Sequence, residues 1–180
     1  MFLTALAMIA FAGNSLLCRM ALKHTAIDPA TFTAIRVLSG ALALWLIVSM
    51  RTGSGARSGS WTSALALFAY AAAFSFAYVG LSAGIGALLL FGAVQATMIF
   101  FGLCKGERLT RWQGIGLAVA LGGLIALLLP GLSAPPPGSA LVMVGAGIAW
   151  GVYSLRGKGA GDPLAATAGN FLRAVPFAVL

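Results

Sequence analysis

The sequence predicts an all-α fold: a polytopic helical membrane protein with one five-helix repeat followed by the first two helices of an inverted second repeat. Three observations carry that expectation. Hydrophobic residues are 61% of the chain and charged residues only 8%, too little charge to cover a water-soluble domain of 180 residues. Seven long apolar stretches follow one another between short polar breaks. A pattern near the start of the chain also returns beyond a proline-rich connector. The mean hydropathy of +1.02 agrees.

A helix needs about 20 mostly apolar residues to cross roughly 30 Å of hydrocarbon. The first stretch, 2–22, is long enough to span and has no basic residue before it, which argues against a signal peptide. The second, 31–50, is opened by Asp28-Pro29. Asp accepts from free N–H groups of a first helical turn, and Pro fits there because its missing N–H is not needed. The third and fourth stretches are 61–79 and 85–103. The fifth, 112–129, carries Gly114, Ala118, Gly122 and Ala126 at every fourth position, a small-residue stripe suited to close helix packing or to sliding. A connector, 130–138, contains Pro135, Pro136 and Pro137 in a row and reads as a stiff boundary between two units, 1–131 and 132–180. The sixth stretch, 139–155, has Gly147 and Gly151 one turn apart. The seventh, 164–180, is opened by Asp162-Pro163. Strand barrels are disfavoured, because alternation is absent and Ala and Leu dominate.

Lys and Arg in short loops orient a membrane protein. With a cytoplasmic N-terminus, the inner loops hold Arg51, Arg57, Lys105, Arg108, Arg111, Arg156 and Lys158. The outer loops hold only Arg19 and Lys23. Seven against two predicts a multi-pass protein of the cell (cytoplasmic) membrane with its N-terminus inside. The net charge of +8 is then topological. It is scattered over loops and makes no basic face for nucleic acid.

The returning pattern starts with Gly13 to Arg19, Asp28-Pro29 and Arg36, and is echoed by Gly151 to Arg156, Asp162-Pro163 and Arg173. The separations are 134 between the aspartates and 137 between the arginines, a slippage of three residues. Five helices lie between the two starts. Five is odd, so the second unit would be inverted, the arrangement of many secondary transporters.

Several function classes are excluded or weakened. Cys18 and Cys104 fall near opposite membrane faces, too far apart for a disulfide, and two Cys make no metal site. No cofactor is expected, since neither a phosphate-binding loop nor a metal-ligand cluster is present. Gly80-Leu81-Ser82-Ala83-Gly84 matches a hydrolase nucleophile pattern, with His24 and Asp28 on the same side. That pattern needs a strand-to-helix elbow, and here it links two membrane helices. A membrane hydrolase is therefore a distant third reading, and the chain is not expected to be an enzyme.

Gly106-Glu107-Arg108-Leu109-Thr110, then Trp112-Gln113-Gly114-Ile115-Gly116 and Gly122-Gly123, resembles the signature between the fourth and fifth helices of EamA-type transporters, of the drug/metabolite transporter superfamily. Gly13-Asn14-Ser15, and Asp28-Pro29 leading to Arg36, are also similar to that family. The likeness covers one complete repeat, to about residue 131, and the opening of a second. One departure is that many members carry a proline in the fourth helix, where this chain reads Gly92-Ala93-Val94-Gln95. The resemblance implies a ten-helix carrier of small metabolites working by alternating access. On that expectation the chain is C-terminally truncated: 164–180 spans roughly 26 Å at about 1.5 Å per residue, just short of the bilayer.

The candidate solute-binding residues are the polar and amphipathic groups held at membrane depth: Asn14, Arg36, Tyr78, Gln95, Trp150, Tyr153 and Arg173. Arg36 lies about one and a half turns inside the second helix, on the side of Thr33 and Gly40. An intramembrane charge is costly and points to function, unless the side chain snorkels to the headgroups. Arg173 is followed by Pro176, which removes a helical hydrogen bond and predicts a kink beside the arginine. Amides and phenols can orient an amino-acid-like or organic-anion solute. They can equally make interhelical hydrogen bonds, worth about 0.6 kcal/mol each in membranes. Glu107, beside Lys105, Arg108 and Arg111, reads as a loop ion-pair residue. The expected partners are a small-molecule solute and the lipid bilayer, with self-association through the glycine-rich helix faces. The competing reading is a non-transporting membrane remnant, or a helper subunit that needs a partner to supply further helices.

Overall fold

The computed structural model describes residues 2–52, 58–128 and 135–180. It is all-helical there: α1 (Phe2–His24), α2 (Pro29–Thr52), α3 (Trp61–Gly80), α4 (Ala83–Cys104), α5 (Arg111–Leu128), α6 (Pro137–Gly157) and α7 (Pro163–Val179). Arg57, Leu129 and the 130–134 part of the connector lie outside the described residues. Five helices, α1 to α4 and α6, are long and apolar enough to cross a membrane. The other two expected segments are helices as well, but α7 has 17 residues with Asn170 and Arg173 among them, and α5 opens on Arg111-Trp112-Gln113.

Large apolar side chains cover the outside of the bundle as well as its core. Leu3, Leu17, Ile47, Leu65, Phe100 and Leu141 point outward, while Ser15, Thr33, Ser63, Ser75 and Asn170 are buried. Lipid tails are as apolar as leucine, so outward leucine costs nothing and inward polar groups find partners within the bundle. The chain is a polytopic helical membrane protein.

The central helix is α3, which packs against α1, α2, α6 and α7. Its buried side includes Leu67, Tyr70, Phe74 and Tyr78. Arg19, near the end of α1, donates to the Tyr78 and Val79 carbonyls at the end of α3, at 2.6 and 2.9 Å, so α1 and α3 run parallel. A cation there also favours the negative end of the α3 dipole. Arg156, at the end of α6, donates to Ser63 and Thr62 at the start of α3, so α6 runs antiparallel to it. The small residues of α6 make that helix fit. A Cβ on Gly147 would stand 2.5 Å from the Ala93 Cβ and 2.6 Å from the Leu90 carbonyl, and one on Gly151 would stand 2.9 Å from Thr97. The stripe on α5 behaves differently. A Cβ on Gly114, Gly116, Gly122 or Gly123 would meet nothing, and α5 packs against α4.

The two Asp-Pro starts share one local geometry. Asp28 Oδ1 accepts from the N–H groups of Ala30 and Thr31, and Asp162 Oδ1 from those of Leu164 and Ala165. Thr33 donates to the Pro29 carbonyl and Thr167 to the Pro163 carbonyl, each at 2.7 Å. At this spacing of 134 the position matching Arg36 is 36 plus 134, Asn170, and not Arg173. The family-like loop is built by ordinary capping. Thr110 Oγ1 accepts from the Gln113 N–H at 3.3 Å, and Gln113 Oε1 accepts from the Thr110 N–H at 2.9 Å, a reciprocal capping box. Glu107 folds over Gly102 and, among the described residues, makes no ion pair.

Asp28 titrates accordingly. Hydrogen bonds from the Thr31 side chain and backbone, with a further one from Ala30, hold its carboxyl below the ordinary value of 3.8. A carboxyl depressed on folding stabilises the helix start above its unfolded value, and that support is lost as pH falls through the folded value. In Asp28→Asn, the part of the acid transition below pH about 4 that belongs to the start of α2 should vanish. Hydrogen exchange at Ala30 and Thr31 against pH checks this, and a wild-type profile in the variant would refute it.

Candidate functional site

A cavity of about 460 Å³ opens among α1, α2, α3 and α7. Asn14, Arg36, Ser39 and Tyr70 form its polar side, and Val37, Gly40, Ala43, Leu67, Ala71 and Phe171 its apolar side. Each helix brings its residue by its own register. On α2, Thr33, Val37 and Ala41 are buried at four-residue intervals, and this turns Arg36 and Gly40 partly toward α3 and α7. Gly40 has no side chain because the Phe171 ring of α7 stands where its Cβ would be, 2.7 Å away.

Arg36 dominates the electrostatics. Its guanidinium carbon lies 4.9 Å from the Phe74 ring centroid, 5.7 Å from that of Tyr70 and 5.9 Å from that of Phe32. Ring faces attract a cation, and more so where water is excluded. Nη2 donates to Asn14 Oδ1 at 3.4 Å, a long contact. Nη1 is buried and has no hydrogen-bond partner among the described residues. The side chain is therefore turned into the bundle and does not reach out to headgroups. A buried cation with an unused donor is the arrangement that an anion completes.

The other sequence candidates divide into three groups. Trp150 and Tyr153 stand behind the cavity wall: the Trp150 ring is 4.6 Å from Tyr70 and 5.3 Å from Tyr153. Tyr78 continues the aromatic column of α3 through Phe74, at 4.7 Å, but does not line the cavity. Its ring fills the space over Gly86, and its hydroxyl donates to the Ala83 carbonyl at 3.2 Å. Gln95 and Arg173 lie elsewhere. Gln95 is exposed in a separate, mostly apolar groove of about 250 Å³ between α4 and α5. Arg173 donates to the Ser58 and Gly169 carbonyls at 2.8 and 2.9 Å. Beside it Asn170 accepts from the Ser60 N–H at 2.9 Å, so this part of α7 clamps the segment that leads into α3. Sequence reasoning missed Tyr70 and Phe74. The signal was present, since Tyr70, Phe74 and Tyr78 recur at every fourth position of one helix. Ser82, from the hydrolase-like pattern, caps α4 by accepting from the Ile85 N–H at 3.4 Å.

Comparison with known proteins gives one family and one relative. Residues 1–129 match the EamA-like transporter family. A Pseudomonas aeruginosa protein described as uncharacterised is 60% identical over 181 residues. That match covers 100% of this chain and 63% of the relative, so the chain spans less than two thirds of the relative's length. No solved structure matches.

Proposed function

The chain belongs to the EamA-like transporter family, and from that premise we propose that it forms part of a carrier that moves a small metabolite, amino-acid-like or an organic anion, across the membrane by alternating access. The observation that carries this reading is Arg36, which lines a cavity of about 460 Å³ and whose buried Nη1 has no partner among the described residues. Asn14, Arg36 and Tyr70 would meet the solute, with Trp150 and Tyr153 holding Tyr70 in place. The shared capping geometry at Asp28 and Asp162 supports an inverted repeat, in which α2 and α7 are corresponding helices packed against each other. The chemistry is transport and not catalysis; Ser82 serves as a helix cap.

Solute flux in cells expressing the protein, with expression matched between variants, tests the reading. Arg36→Lys keeps the charge but loses the planar fork and should cut flux several-fold. Arg36→Gln also loses the charge and should cut it at least tenfold, about 1.4 kcal/mol in solute recognition. Wild-type flux in both variants would remove Arg36 from the path.

We place the protein in the cytoplasmic membrane with its N-terminus inside, on the strength of the seven-to-two loop charge bias. Cys104 is exposed at the end of α4 and Cys18 is buried. A membrane-impermeant maleimide should therefore label inside-out vesicles at Cys104 and leave intact spheroplasts unlabelled. The opposite pattern would reverse the topology.

A second reading is a helper subunit, active only when a partner supplies further helices. The open face of α5 favours it, since a Cβ on the glycines there would meet nothing among the described residues. Flux that appears only on co-expression with a second membrane protein would put this reading first.

A further inference from the structure

We infer that the solute is a monocarboxylate with one net negative charge and an apolar or aromatic body, its carboxylate seated on the Arg36 guanidinium. This rests on the transporter reading and narrows it. Three features of the cavity converge on that class.

The first is the unused donor. Among the described residues Arg36 Nη1 is buried without a partner, and Nη2 has only the long contact to Asn14. A carboxylate matches the guanidinium fork with two parallel hydrogen bonds and neutralises its charge. The ring centroids of Phe32, Tyr70 and Phe74 lie within 5.9 Å of the guanidinium carbon, an apolar setting in which such a pairing is stronger.

The second is the missing counterpart for an ammonium. The sequence has three acidic residues, and none lines the cavity. Asp28 and Asp162 cap α2 and α7, and Glu107 lies between α4 and α5. Asn14 Oδ1 already faces Arg36, and the Ser39 hydroxyl donates to the Arg36 carbonyl at 3.2 Å. The ammonium of an amino-acid zwitterion would meet only neutral acceptors and no carboxylate to balance its charge, which is costly in a buried site. A dicarboxylate fails for the mirror-image reason. Among the described residues Arg36 is the one cation lining the cavity, so a second carboxylate would stay unpaired there.

The third is the remaining wall. Val37, Ala43, Leu67, Ala71 and Phe171 offer hydrocarbon surface, and the volume suits a compact organic acid.

Calorimetric titration of the protein in maltoside micelles at pH 7 tests the assignment. The probes are benzoate, its neutral isostere benzamide, the zwitterion phenylalanine, the dianion phthalate and inorganic phosphate. Benzoate should bind saturably, and each of the others at least tenfold more weakly. Arg36→Gln should lower benzoate affinity at least tenfold, and Arg36→Lys should fall between. Phenylalanine binding as tightly as benzoate would overturn the inference in favour of amino acids. Phosphate binding without benzoate binding would overturn it in favour of phosphate or a lipid headgroup. Wild-type benzoate affinity in a folded Arg36→Gln variant, or no benzoate binding at all, also overturns it. If Arg36→Gln does not fold, the wild-type probe series decides alone. Benzoate binding without flux of any solute would instead sink the transporter reading and leave this one standing.

Discussion

Gly147→Leu should fail to accumulate as a folded protein, whereas Gly122→Leu should behave as wild type. The two glycines lie in similar small-residue stripes and differ in what faces them. At Gly147 even a single Cβ would meet the Leu90 carbonyl and approach the Val94 N–H at 3.3 Å, besides the Ala93 Cβ. Two of these are backbone atoms inside α4 and cannot rotate away. Helices in a bilayer associate through close packing without a hydrophobic driving force between them, so pushing α4 and α6 apart removes what joins them. Overpacking by one or two methylenes costs about 1–3 kcal/mol in a packed interior. Leu adds three further carbons to the colliding Cβ, and the total stability of a domain is only about 5–15 kcal/mol. At Gly122 the same side chain enters open space. The monodisperse fraction in detergent and the midpoint of thermal unfolding separate the variants. Equal behaviour of Gly147→Leu and Gly122→Leu would show that the α4–α6 contact does not hold the bundle.

That contrast also marks what sequence could and could not convey. Hydropathy located all seven helices, because the bilayer imposes one length and one polarity on every spanning segment. The Asp-Pro caps were legible, because capping is local. Gly114 and Gly147 read alike in sequence. Which stripe is filled depends on the neighbour, and no periodicity reports a neighbour. Arg36 stood out because a charge at depth is rare. Its pairing with Asn14, and its ring of Phe32, Tyr70 and Phe74, depend on how α1, α2 and α3 cross. Arg173 looked equivalent by residue type. The capping register instead puts Asn170 opposite Arg36, and Arg173 one turn further along is spent on carbonyls of Ser58 and Gly169. Gln95 is polar at depth too, yet it faces α5 and not the cavity.

Trp150→Ala should abolish most solute flux although Trp150 does not line the cavity that holds Arg36. Its indole stands 4.6 Å from Tyr70, 5.3 Å from Tyr153 and 6.4 Å from Phe11. Tyr70 thus touches Trp150 on α6 and also lies near the guanidinium of Arg36, whose carbon is 5.7 Å from its centroid. Removing the indole opens space behind Tyr70 and lets that ring fall back toward α6. The wall beside Arg36 then loses its shape, and the cation loses one of its ring faces. Trp150 is half-buried, so deleting its indole should cost less than the about 3–5 kcal/mol of a fully buried Trp. Part of that cost appears as a lower unfolding temperature. The rest appears as weaker solute recognition, at least tenfold at ~1.4 kcal/mol per decade. Trp150→Phe retains a ring against Tyr70 and should restore most of both. The decisive comparison pairs solute affinity with thermal stability. If Trp150 contacts solute itself, Phe should lose affinity with little loss of stability. If it acts by holding Tyr70, the two quantities fall together in Ala and recover together in Phe. Full flux in a folded Trp150→Ala variant would mean that Tyr70 needs no support from α6, and that the aromatic column serves packing alone.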